Sequence, residues 1–339
     1  MTNLQLLWFL LIGVLFSGFF FLEGFDFGIG MAIRFFGKDQ AERDTIIQTI
    51  GPHWDGNEVW LITAGGAMFA SFPMWYASLF SGYYIVLFLI LVALIFRGVS
   101  FEFRANMETA RWRHFWEWAA TIGSFCAAFL FGMMFTSMIQ GVPMDAEGNV
   151  IGTFTTYVNW LSLVGGVAVT LMCFIHGLNF LQLKTIGSLR DRAQAWNKIL
   201  YPLLIVGEVL FVVLLFIFTD FFKLKAASTW GILIVLVVLT LLAWWGVAGQ
   251  HNWVAFLSSG LSLISIVVLI FNGIFPRVMI GANNVHSILI KNASSSPYTL
   301  HLMTILAFTL LPIVLIYFIW SYWVFYKRLK SPNKDVKAA

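Results

Sequence analysis

Charge is scarce in this chain. Only 11% of its 339 residues are Asp, Glu, Lys or Arg, where a soluble domain carries about a quarter. Cysteine is scarcer: Cys126 and Cys173 both fall inside apolar runs and read as buried free thiols, not as a disulfide or a metal site. There is no Cys/His metal pattern, no phosphate-binding loop and no dinucleotide fingerprint. The opening stretch MTNLQLLWFLLIGVLF has neither a basic n-region nor a small-residue cleavage site, so the first apolar segment is expected to stay in the mature protein. What is present in excess is apolar surface: 60% of residues are hydrophobic and the mean hydropathy is +0.86. A water-soluble globule of this length could not bury that much. The apolar runs are continuous, whereas barrel strands would alternate over about ten residues, so the fold class is an all-α integral membrane protein.

A span needs about 20 mostly apolar residues. Nine candidates satisfy this, at roughly 4–33, 55–76, 78–101, 115–140, 154–182, 200–222, 228–248, 252–275 and 300–326. With nine transmembrane helices the loops fall alternately on two sides. Sixteen of the twenty Lys and Arg collect on one side, among them Arg34, Arg97, Arg104, Lys184, Arg192, Lys327, Arg328, Lys334 and Lys337. Only Lys223, Lys225, Arg277 and Lys291 fall on the other. Basic loops mark the cytoplasmic side, which puts the N-terminus outside and the C-terminus inside. The net charge of +4 is thereby explained by topology, and no nucleic-acid partner is needed. No span is interrupted enough to suggest a broken helix.

A faint repeat runs through the chain. FLEGFDFGIG (21–30) aligns with FIHGLNFLQL (174–183) at Phe21/Phe174, Gly24/Gly177 and Phe27/Phe180, and Pro52, Glu58 and Val59 align with Pro202, Glu208 and Val209. The matches predict two parallel four-helix bundles, 1–141 and 142–276, followed by an extra helix and basic tail, 277–339. An even number of spans separates the repeats, so they would share one orientation. Between the halves Glu23 becomes His176, Asp26 becomes Asn179 and Asp55 becomes Ile205. The first half keeps most of the acids.

Those acids are the candidate site. Glu23 and Asp26, spaced i, i+3, share one face of the first span. Asp26 lies eight residues before Arg34, about 12 Å from the basic surface at 1.5 Å per residue. An intramembrane carboxylate is costly and marks function. Gly24 and Gly28 on the same helix would let a neighbour approach closely. The second span opens GPHWDGNEVW, where Pro52 signals a helix start and Asp55 and Glu58 again share a face. Acids in a first helical turn also have an ordinary explanation in the helix dipole, which does not reach Glu23 and Asp26. His53 titrates near neutral and joins the set as a proton donor only in the acids' company. Glu23, Asp26, His53, Asp55 and Glu58 are expected to converge at one depth and pass protons; the spacing alone does not separate this from a sodium or substrate site. His176 reads as a hydrogen-bonded bundle residue, Glu208 as a relic of the repeat or a histidine partner, and Arg97, Glu102 and Arg104 as snorkelling or interfacial charges.

Four stretches, EGFDFGIG, PHWDGNEVWLITAGGAMFASFP, FRGVSFEFR and RWRHFWEWA, resemble subunit II of the cytochrome bd-type quinol oxidases. The resemblance implies a larger haem-bearing subunit I as partner, carrying two haems b, one haem d and the quinol site, in a bacterial cytoplasmic-membrane complex that oxidises quinol and reduces dioxygen to water. It also implies a small single-helix subunit and a structural quinone in some members. Subunit II would support that assembly without ligating a haem and would conduct cytoplasmic protons through Asp26 and Asp55, with His53 close by. The family often has Asp where this chain has Glu23, so the acid is kept with a longer reach. Trp60 would lie near the subunit interface or an oxygen path. The rival reading is a secondary ion- or proton-coupled transporter with parallel repeats.

Overall fold

Long apolar runs with few breakers fold into long helices. The computed structural model describes residues 1–106 and 109–330; Lys334 and Lys337 lie outside the described residues. In chain order the elements are α1 (Asn3–Phe35), α2 (Gln40–Ile50), α3 (Trp54–Ser71), α4 (Pro73–Gly82), α5 (Tyr84–Ala105), α6 (Ala110–Gln140), α7 (Phe154–Tyr157), α8 (Trp160–Lys184), β1 (Thr185–Ile186), α9 (Ser188–Phe218), α10 (Phe221–Ala248), α11 (Asn252–Ile274), β2 (Arg277–Met279), β3 (Ile288–Leu289), α12 (Ile290–Ala293), α13 (Pro297–Val324) and β4 (Leu329–Lys330). Side chains that satisfy orphan amides fix several starts: Thr2 and Gln5 form a capping box at α1, Asn159 and Ser162 another at α8, and Ser296 accepts from the Thr299 amide just ahead of Pro297 in α13.

Eight of these helices are long and apolar enough to cross a membrane: α1, α5, α6, α8, α9, α10, α11 and α13. The chain is a multi-pass membrane protein. The second expected span differs from its expectation. It is two helices, α3 and α4, broken at Phe72, whose φ of −136° and ψ of 67° leave the helical region. The residue before a proline is pushed out of that region, and Pro73 then starts α4. The expectation that no span is interrupted fails here, and α10 also bends at Lys225. The sixth expected span lies in α9, which begins at Ser188, earlier than expected, so Arg190, Arg192 and Lys198 lie on its first turns and not in a loop.

Both ends of α3 are fixed by contacts. Its C-terminal end meets the start of α13, where the Ser295 amide donates to the Ser71 carbonyl at 2.9 Å. The start of α1 lies at the same level, with Gln5 donating to Ser294 at 2.6 Å and Trp8 to the Leu300 carbonyl at 3.2 Å. At the other end His53, just before α3, stacks on Tyr322 near the end of α13. α3 therefore runs antiparallel to α1 and reaches from one end of α13 to the other.

α1 and α8 are the central helices. α1 packs on α3, α6, α8 and α11; α8 packs on α9, α11, α1 and α6; α5 pairs with α6, and α10 with α11. Every residue of α1 from Glu23 to Ile33 is buried. α1 and α8 touch backbone to backbone: a Cβ on Gly28 would lie 2.1 Å from the Cys173 carbonyl oxygen, and one on Gly177 2.5 Å from the Gly28 backbone. Gly24 faces α11 instead, against Leu263. By contrast Leu300 is the one buried residue of α13.

Ion pairs tie down the two ends. On the basic face, Glu117 on α6 accepts from Arg34 at 3.0 Å, Arg43 at 3.4 Å and Arg104 at 3.1 Å. Glu42 on α2 pairs with Arg192 on α9 through two bonds of 2.9 Å. On the opposite face Arg277 binds Asp220 at 2.7 and 3.1 Å and holds the β2–β3 hairpin against the start of α10.

Candidate functional site

The site is built on one guanidinium that the sequence assigned to the surface. Arg97 sits on α5 eight residues before its last residue, Ala105, about 12 Å into the helix. It is fully buried, not snorkelling. Its Nη1 contacts Glu23 of α1 and lies 2.5 Å from Glu58 of α3, and its charge rests over the rings of Phe27 and Phe101. The charge asymmetry read from the sequence therefore included one arginine that belongs inside the bundle.

A second file of contacts runs beside this cluster. Asp26 Oδ2 accepts from Asn57 Nδ2 at 2.6 Å, and Asn57 Oδ1 accepts from the Tyr322 hydroxyl at 2.8 Å. The Tyr322 ring stacks flat on His53, with centroids 4.0 Å apart and 3° between planes. Glu23, Asp26 and Asn57 are fully buried. Glu23 Oε2, Asp26 Oδ1 and Arg97 Nη2 have no hydrogen-bond partner among the described residues. The arrangement is thus one guanidinium paired with two carboxyls, with a third carboxyl, Asp26, linked through an amide and a phenol to a buried imidazole at the basic face.

Not every expected residue joins it. Glu23, Asp26 and Glu58 converge. His53 approaches only through Tyr322, and burial, followed by the charge of Lys184, pushes its imidazole down to about 4, so the ring is neutral at physiological pH. Asp55 is exposed in the first turn of α3, accepting from the Gly56 amide at 2.7 Å; the helix-dipole reading describes its position. Trp60 packs its ring against the Gly18 backbone and lies 6.2 Å from Phe318, so it faces α1 and α13 of this same chain. Arg97, Asn57 and Tyr322 were not among the candidates. Arg97 stands between an apolar run and the charged residues Glu102 and Arg104, so its sequence pattern alone suits a surface charge equally well; asparagine and tyrosine escape a search for ionisable groups.

His176 is held on all sides. One ring nitrogen meets Ser259 at 2.8 Å and the other the Phe21 carbonyl at 3.0 Å, while its face stacks on Phe256. Neither nitrogen is open to an iron, so this residue does not fit an axial haem ligand. Glu208 accepts from Thr240 at 2.7 Å; its partner is a hydroxyl and not a histidine. Among the described residues no group of three or more His, Cys, Asp or Glu is arranged to hold a metal.

Comparison with known proteins fits this arrangement into a lineage. Residues 4–325 match the family described as cytochrome bd terminal oxidase subunit II. The chain belongs to that family. Among its relatives within the cytochrome bd group, subunit 2 of the cytochrome bd ubiquinol oxidase of Bacillus subtilis (strain 168) is 44% identical, over 97% of this chain and 98% of the relative. Subunit 2 of the cytochrome bd-I ubiquinol oxidase of Escherichia coli (strain K12) is 36% identical, over 97% and 96%. The solved bd oxidase from Geobacillus thermodenitrificans contains a chain that superposes with a TM-score of 0.75 over 95% of this chain and 99% of its own, at 15% identity. That last likeness is one of fold.

Proposed function

We propose that this chain is the second large subunit of a membrane terminal oxidase that oxidises quinol and reduces dioxygen to water, and that it admits protons from the cytoplasm. The haems, held by a larger partner subunit, supply the oxygen chemistry. This chain braces that partner and brings protons inward. In this reading α3 with α4 is the ninth crossing, supported by the contacts that fix α3 at both ends of α13. The basic face is cytoplasmic and the N-terminus outside, by the distribution of Lys and Arg. The two parallel four-helix halves are supported by the matching packing partners of α1 and α8.

The observation that carries the proton role is the fully buried Asp26 carboxyl, which Asn57 holds by Oδ2 and which the Tyr322 hydroxyl backs up through Asn57. Asn57 does not relay a proton itself. Its amide fixes the carboxyl by Oδ2 and leaves Oδ1, buried and unpartnered, to take one up. Ionisable groups inside a membrane protein mark proton routes, and Glu23, Asp26 and Arg97 are fully buried here. Asp26→Asn should slow quinol-driven oxygen uptake by about tenfold or more while the haem absorption spectrum stays intact. Oxygen uptake at the normal rate in that variant would overturn the proton role.

A further inference from the structure

An apolar groove opens on the basic face beside the acid cluster. It has a volume of about 640 Å³ and runs between α1, α11 and α13, walled by Phe21, Phe25, Trp253, Phe256, Phe318 and Tyr322. α13 borders it with Leu300 as its one fully buried residue. Its mouth is cationic. Lys184, Lys327 and Arg328 line that end, and among the described residues no acidic side chain lines the groove. This gathering of charge follows from the local fold. β4 pairs in parallel with β1, Thr185 against Leu329 and Ile186 against Lys330, and Lys184 donates to the Phe325 carbonyl. Together these contacts fold the end of α13 back over the end of α8 and bring three positive side chains to one opening.

We infer that this groove is a binding site for an anionic phospholipid, its phosphate at Lys184, Lys327 and Arg328 and its acyl chain along the aromatic wall between α1 and α13. An apolar slot capped by cations at a membrane face matches a lipid with a negative headgroup. A neutral isoprenoid ring would find no use for three positive charges. The occupant also packs against Tyr322, whose hydroxyl holds Asn57, and so braces α13 onto the acid cluster.

The test uses the complete detergent-purified protein with the chains that accompany it. Lipid is stripped, and the thermal midpoint is followed while phosphatidylglycerol, phosphatidylcholine, a long-chain quinone or inorganic phosphate is added back. Native mass spectrometry counts the bound lipid. Phosphatidylglycerol should raise the midpoint at lower concentration than phosphatidylcholine, and added salt should narrow the difference. Lys327 and Arg328 are exposed, so Lys327→Gln and Arg328→Gln should fold. Each should weaken phosphatidylglycerol binding about fivefold, while Lys327→Arg keeps it. Equal effects of the two lipids, stabilisation by quinone alone, or full stabilisation by inorganic phosphate would each overturn the inference.

Discussion

The α1–α3–α5 side of the molecule and the α8–α9–α10 side use related positions in opposite ways. On the first, Glu23 and Glu58 pair with Arg97, and Asp26 accepts from Asn57. On the second, the residues aligned with Glu23 and Asp26 are His176 and Asn179, and they sit in a neutral network. Asn179 donates to the Tyr201 hydroxyl at 2.8 Å and to Ser259 at 3.0 Å, and accepts from Asn197 at 2.8 Å. Glu208, aligned with Glu58, meets Thr240 of α10 where Glu58 meets Arg97 of α5. One scaffold thus carries an ionic cluster in one half and an amide–hydroxyl network in the other. Buried neutral polar groups stabilise a bundle when each is satisfied. A buried, unevenly paired set of charges is a weak stabiliser, and its retention points to chemistry.

The sharpest way to break this comparison is to remove the arginine. Arg97→Met strands the buried Glu23 carboxyl and the half-buried Glu58 and should destabilise the protein by about 3 kcal/mol, read as a large fall in thermal midpoint. Thr240→Val removes only a hydroxyl donor and should cost about 1 kcal/mol. Similar losses in the two variants would erase the distinction between the halves. Next in size, Asn179→Asp puts a carboxylate where an amide now donates, including to the Ala255 carbonyl at 3.2 Å. A loss of roughly 1–3 kcal/mol is expected; a variant as stable as the parent would mean that the second half tolerates charge after all.

The join between the halves on the basic face gives a smaller, pH-dependent effect. Hydrogen bonds from Arg192 hold the Glu42 carboxyl below the usual carboxylate range. A depressed folded value means the contribution is fully present above the unfolded value, near 4.3–4.5, and is lost as pH falls through the folded one. The pair is partly exposed, so about 1 kcal/mol or less is at stake. Glu42→Gln should lower stability at neutral pH and flatten its decline in acid; an unchanged acid profile would remove Glu42 as its source. The smallest effect belongs to Asp55→Asn. Exposed and bonded only to its own turn, Asp55 should shift stability by no more than about 0.5 kcal/mol and slow oxygen uptake less than Asp26→Asn does. A larger slowing than in Asp26→Asn would move the proton entry to Asp55.

The long helices were legible because twenty apolar residues have few other ways to fold, and Glu23 and Asp26 were legible because membrane helices rarely carry acids. The break between α3 and α4 could have been read from Pro73. Other features were not local. Tyr322 reaches Asn57 across 265 positions of sequence, and nothing in its own helix marks it. Arg97 lies close enough to the end of α5 that a snorkelling side chain and a buried one have the same pattern; only Glu23 and Glu58 on other helices decide between them. The Glu42–Arg192 pair, which ties α2 to the first turns of α9, joins residues 150 positions apart.

The crossing of α1 over α8 at Gly28 and Gly177 bears on how such a protein can move. Carriers that alternate access rock one repeat against the other and need an interface that slides. Here main chain rests on main chain with no side chain between them to rearrange, so a shift of either helix meets carbonyl and α-carbon at once. The two helices turn on no hinge at this point; they cross as a fixed axle.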